Sequence, residues 1–133
     1  MKPPASGVPV PGDKSLPTPA PADAQVIRTY GPGRFLIGER EWREAVLVTP
    51  GATVAWKAAS AEELSIEVLR DAPHVELLVV GCGVRSMFVP PDKRAAFKQA
   101  GVGLEVVDTG AACRIYNVLL AEGRRVAAAL IPL

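Results

Sequence analysis

The sequence predicts an α/β fold, and three observations predict it. From Val75 to Ile131 the apolar pattern alternates between strand-like and helix-like periods. Two runs in that half, Leu77–Val80 and Val126–Ile131, carry no polar residue, the mark of strands buried on both faces. The segments between them carry helix start and stop signals. Ahead of this unit lie several short β-like runs separated by turn residues, which predict an antiparallel layer.

The chain of 133 residues is one domain by size. It buries roughly two-thirds of its unfolded surface on folding, enough for an independent core. Residues 1–24 hold seven of the 13 prolines and no aromatic residue. Proline blocks both helix and ladder pairing, so this segment reads as a disordered tail, with a polyproline ligand as its functional alternative. The ordered domain is 25–133. Strands are expected at Val26–Tyr30, Arg34–Ile37, Glu44–Thr49 and Thr53–Lys57, with turns at Gly31-Pro32-Gly33, Gly38-Glu39-Arg40 and Pro50-Gly51. Ser60-Ala61-Glu62-Glu63 fits a capping box, and Ala61, Leu64, Val68 and Ala72 recur at helical spacing until Pro73. Val75–Val80 is a buried strand. Pro90–Ala100 is a helix that starts on proline and stops at Gly101. Gly103–Val107 is a strand, Thr109 caps a helix to about Glu122 with Gly123 as its stop, and Val126–Ile131 is an interior strand. Strands 75–80 and 103–107 should run parallel, with their C-terminal ends side by side.

Two loops leave those ends, Gly81-Cys82-Gly83-Val84-Arg85 and Asp108-Thr109-Gly110. Open α/β sheets bind ligands outside the carboxyl ends of their parallel strands. A helix N-terminus there offers unpaired N–H groups and partial positive charge. Arg114 and Asn117 are three apart and share a helix face, opposite an apolar stripe of Ala112, Ile115, Tyr116, Leu119 and Leu120. The candidate ligand site is therefore Gly81, Cys82, Gly83, Arg85, Asp108, Thr109, Gly110, Arg114 and Asn117, suited to an anion such as phosphate or carboxylate. The competing reading is structural: a capped helix, glycines placed for their dihedrals, and a solvated or ion-paired arginine.

Other chemistry is thin. Ser86 stands where a dinucleotide fingerprint needs its third glycine, and no P-loop lysine is present. Cys82 lacks a base, because the single histidine, His74, lies at the other end of a strand roughly 20 Å long. Cys113 reads as packed beside the apolar stripe. One histidine and two scattered cysteines give no metal spacing, so no metal and no cofactor is expected. Asp108 beside a helix N-terminus reads as a structural anchor and not as a general base, since its charge is stabilised by the helix dipole. With 15 basic against 14 acidic side chains, nucleic-acid binding is not expected. No apolar run reaches the roughly 20 residues of a membrane span. If Trp42 or Phe88 is exposed, it becomes a candidate interface anchor.

The ordered set Tyr30-Gly-Pro-Gly-Arg-Phe-Leu-Ile-Gly, Val46-Leu-Val-Thr-Pro, Trp56, Val79-Val-Gly-Cys-Gly, Val106-Val-Asp-Thr, Ala112-Cys, Tyr116-Asn and Glu122-Gly-Arg resembles the Mth938-like (DUF498) domain family. The resemblance runs from Val26 to Leu133 and lies nearest the branch of mitochondrial complex I assembly factor 3. It implies a three-layer fold, with a central mixed sheet, helices on one side and an added antiparallel β layer. It implies no established enzyme activity. It implies protein partners, an assembly factor or a respiratory subunit. The sequence departs from the mitochondrial branch in lacking an Arg-rich presequence, so a bacterial cytoplasmic protein is expected. It also carries Cys82 and Ile115 where relatives carry threonine or a similar residue, which weakens shared hydroxyl chemistry. A non-enzymatic assembly domain is the first functional expectation, and a small-molecule binding domain or weak enzyme at the strand-end crevice is the second. An exposed apolar patch favours the first, a deep anion-holding pocket the second.

Overall fold

The computed structural model describes residues 24–133. The expected tail lies outside the described residues except for Ala24, which is buried in the core. Ala24 and Gln25 therefore belong to the packed domain, and the Gln25 N–H donates to the Pro50 carbonyl at 3.1 Å.

Strands β1 (Ile27–Gly31), β2 (Arg34–Ile37) and β3 (Arg40–Trp42) form an antiparallel meander. The other strands are β4 (Val46–Val48), β5 (Thr53–Ala55), β6 (Leu77–Gly81), β7 (Gly103–Val107) and β8 (Val126–Leu130). They make a five-stranded mixed sheet in the order β5-β4-β8-β6-β7. Its parallel pairs are β6 with β7 and β6 with β8, and β4 is antiparallel to both β5 and β8. The α/β class, the mixed central sheet and the added antiparallel layer stand as expected. The single antiparallel layer expected from the first half is instead divided. β4 and β5 join the main sheet, because Val46, Leu47 and Val48 are buried on both faces and belong at its interior. β3 follows the Gly38 turn (φ +60), where turn residues obscured the strand.

Helices α1 (Pro91–Gln99) and α2 (Thr109–Ala121) cover opposite faces of the sheet instead of sharing one. The cause is topological. The chain steps outward from β6 to β7 and then back across β6 to β8, so two right-handed crossovers place their helices on opposite sides. One face, with Val46, Val48, Val79, Ala128 and Leu130, packs under α2 and the meander. The other, with Leu47, Leu78, Val80, Ala127 and Ala129, packs under α1 and the segment from Ala61 to Ala72.

That segment is not the single helix its spacing predicts. It is two 3-10 turns, Ala61–Glu63 and Ile66–Asp71. Leu64 is extended (ψ 129) and Ser65 restarts the helix, its hydroxyl accepting from the Glu67 N–H at 3.4 Å. Ser60 makes no side-chain cap, while Glu63 reaches one residue further back than a capping box requires, to the Ala59 N–H. The predicted stripe of Ala61, Leu64, Val68 and Ala72 is nevertheless buried throughout. Spacings of three and four serve a 3-10 turn as well as an α-helix.

Candidate functional site

The ends of β6, β7 and β8 are joined by a chain of short hydrogen bonds. Cys82 N–H donates to the Val107 carbonyl, Thr109 N–H to the Gly83 carbonyl and Ile131 N–H to the Gly81 carbonyl, each at 2.9 Å. The Thr109 hydroxyl accepts from Gly83 N–H at 2.8 Å and donates to the Ile131 carbonyl at 2.6 Å. Thr109 is fully buried, and a Cβ on Gly81 would lie 2.9 Å from its Cα and Oγ1. Glycine is required at 81 because the α2 backbone lies against it. Gly83 has φ +90, which allows the loop to turn back toward Thr109.

Thr109 is not the helix cap. Asp108 is, its carboxylate accepting from Ala111 N–H at 2.9 Å. The extra residue of cap frees the threonine hydroxyl to join the three strand ends.

Along α2, Arg114 and Asn117 do share a face, and that face meets the meander. Arg114 Nη1 donates to the Tyr30 hydroxyl at 2.9 Å. Asn117 accepts from Ile27 N–H at 3.0 Å through Oδ1 and donates to the Ile27 carbonyl at 2.8 Å through Nδ2. Its amide thus completes both backbone groups of the first residue of β1. Between them, the Tyr116 hydroxyl donates to the Gln25 carbonyl at 2.9 Å. Gly110 is buried beneath the Arg114–Tyr30 contact, with the Tyr30 hydroxyl 3.2 Å from where a Cβ would stand. The structure brings Gly81, Cys82, Gly83, Asp108, Thr109 and Gly110 together at one point. It turns Arg114 and Asn117 toward β1 and leaves Arg85 exposed. Tyr30 and Tyr116 were outside the predicted set. The signal for Tyr116 was a hydroxyl-bearing ring within an otherwise apolar helix stripe, since a buried tyrosine hydroxyl needs a partner.

Both cysteines are free thiols. Burial pushes the Cys82 thiol above its usual range, and the Asp108 carboxylate adds to this against a backbone N–H from Met87. Burial pushes Cys113 up to about 12. The thiolate is the nucleophile, so Cys113 should hold roughly 1000-fold less of it than an exposed thiol near pH 8. Iodoacetamide labelling followed by mass spectrometry should therefore modify Cys82 slowly and Cys113 only on unfolding. Rapid labelling of Cys113 in the native protein would contradict its packing. Among the described residues, no group of three His, Cys, Asp or Glu side chains could hold a metal ion.

His74 sits at the opposite end of the sheet. There it lines a cavity of about 250 Å3 with Pro50, Ala72, Val75, Arg125 and Val126. Of the two aromatic candidates for an interface, Trp42 is buried, with the Arg40 guanidinium 3.9 Å from its ring centre. Phe88 is 80% exposed, and Val84 on the same loop is 79% exposed.

The family described as protein of unknown function (DUF498/DUF598) matches residues 27–131. NADH dehydrogenase (ubiquinone) 1 alpha subcomplex assembly factor 3 of Xenopus tropicalis is 36% identical over 115 residues, covering 84% of this chain and 63% of its own length. An uncharacterised protein of Rhodobacter capsulatus is 37% identical over 116 residues, covering 86% of this chain and 90% of its own. The solution structure of a Mth938-like domain from Bordetella pertussis superposes with a TM-score of 0.72 at 27% identity, over 84% of this chain and 88% of that one. The chain thus spans less than two-thirds of the length of the frog assembly factor. It belongs to the DUF498 family.

Proposed function

We propose that this DUF498-family protein is a non-enzymatic protein-binding domain that takes part in assembling respiratory complex I, in the bacterial cytoplasm. The observation that carries the reading is the loop after β6. It holds Val84 and Phe88 out in solvent, while the polar atoms beside it are spent on internal bonds. Large apolar side chains exposed together on a soluble domain mark contact surfaces. The assembly-factor relatives supply the kind of partner, an assembly factor or a subunit of the complex. Among the described residues, no helix is long and apolar enough to cross a membrane. Any contact with the membrane-bound complex would then run through a protein surface.

The test is affinity capture from the native organism, comparing the wild type with a Val84→Ser/Phe88→Ser double variant. Complex I subunits or an assembly factor should be enriched with the wild type and fall at least about tenfold with the variant, the loss of a buried aromatic anchor. Recovery of no respiratory or membrane-assembly partner would overturn the reading. The second reading, a small anion or nucleotide at the strand ends, draws on the two exposed guanidiniums, Arg85 and Arg114, at this end of the sheet. It requires a ligand to take Arg114 from the Tyr30 hydroxyl.

A further inference from the structure

β7 is an outer strand of the main sheet, and its free edge has an unusual pattern. Gly103 N–H donates to the Glu76 carbonyl, and the Val107 carbonyl accepts from Cys82 N–H. In a parallel ladder the residues alternate sides, so 103, 105 and 107 face β6, and Val102, Leu104 and Val106 turn their backbone groups outward. Two of those outward groups are already satisfied within the chain. Val102 N–H donates to the Phe97 carbonyl at 2.9 Å, and the Ser86 hydroxyl donates to the Val106 carbonyl at 3.1 Å. Among the described residues, the Val102 carbonyl, both groups of Leu104 and the Val106 N–H are left.

That remainder is self-complementary. If two copies of β7 pair antiparallel about Leu104, the Leu104 N–H of each meets the Leu104 carbonyl of the other. Each Val106 N–H then meets the partner's Val102 carbonyl. The groups that would otherwise have faced one another, Val102 N–H and Val106 C=O, are the two already satisfied. Like charges directly opposite destabilise a strand pair. Glu105, the charged residue of β7, avoids this because it falls opposite the partner's Gly103. Ser86 ties the exposed loop to this edge, so Val84 and Phe88 come to lie beside the partner's segment 98–102. Open strand edges beside exposed apolar side chains are association sites unless something covers them.

We propose that a second copy of this chain covers them, through a two-fold β7–β7 contact that joins the two five-stranded sheets into one. The inference rests on reading this end of the molecule as a protein-binding surface, and it names one occupant. Sedimentation velocity of the full chain from about 5 to about 500 µM, the range of a modest interface, tests it. The wild type should pass from monomer to dimer. Hydrogen exchange at the Leu104 and Val106 amides should slow at least about tenfold over the same range. Leu104→Pro removes an outward donor, a change edge strands tolerate, and should leave a monomer with unchanged circular dichroism. Val84→Ser/Phe88→Ser should do the same without touching the backbone. A wild type that stays monomeric at the highest concentration overturns the proposal, as does a dimer that survives both variants. A monomer that still recovers a respiratory partner would sink the self-association alone and leave the assembly reading standing.

Discussion

Replacing Tyr116 with alanine is expected to destabilise the protein by about 3–5 kcal/mol, the cost of deleting a buried aromatic ring and leaving its cavity. The ring is fully buried, on the face of α2 that meets both the main sheet and the meander. Its hydroxyl donates to the Gln25 carbonyl, and that hydrogen bond would be lost with the ring. Urea or thermal unfolding followed by tryptophan fluorescence reads the change through Trp42 and Trp56. A shift in Tm of more than about 10 °C should follow for a domain of this size. Tyr116→Phe separates the two contributions and should cost only about 1 kcal/mol, the worth of one hydrogen bond. If alanine cost no more than phenylalanine, the ring would not be the core element described above.

Thr109→Val should cost about 2–4 kcal/mol while keeping the side chain's shape. The hydroxyl serves two backbone groups, the buried Gly83 N–H and the part-buried Ile131 C=O, and valine leaves both without this partner. Thr109→Ser keeps both bonds and loses one methyl, so it should retain most of the stability. Chemical denaturation of the two variants side by side is decisive. Equal stability would mean that the hydroxyl is not holding the strand ends together.

Much of the fold was legible because periodicity and punctuation agreed. α2 was found from its apolar stripe and Gly123, β6 and β8 from unbroken apolar runs, and α1 from Pro90 and Gly101, one residue early at its start. The errors lie where local pattern and partner choice separate. Val46–Val48 reads as a strand in any sheet, and only burial on both faces assigns it to the main one. The segment 61–72 has the stripe of a helix, but the extended Leu64 and the cap at Ser65 divide it. For the candidate site, sequence located the residues and not their partners. Asn117 could face a ligand or a strand, and Ile27, 90 positions earlier, decides the matter. Arg114 depends in the same way on Tyr30, 84 positions away. The exposure of Phe88 had no local signature either, since an aromatic residue beside Val89, which is buried, carries the same pattern in or out.

The position of β8 bears on how the chain is made. It lies at the centre of the sheet, yet every other strand precedes it in the sequence. β4 and β6 have no ladder with each other, and both pair with β8. On the ribosome, the apolar strands at 46–48 and 77–81 must therefore wait, edges open, until residues 126–130 emerge. Folding is then a late, concerted event dominated by contacts distant in sequence, which is slow for a domain this small and exposes the nascent chain to chaperones meanwhile.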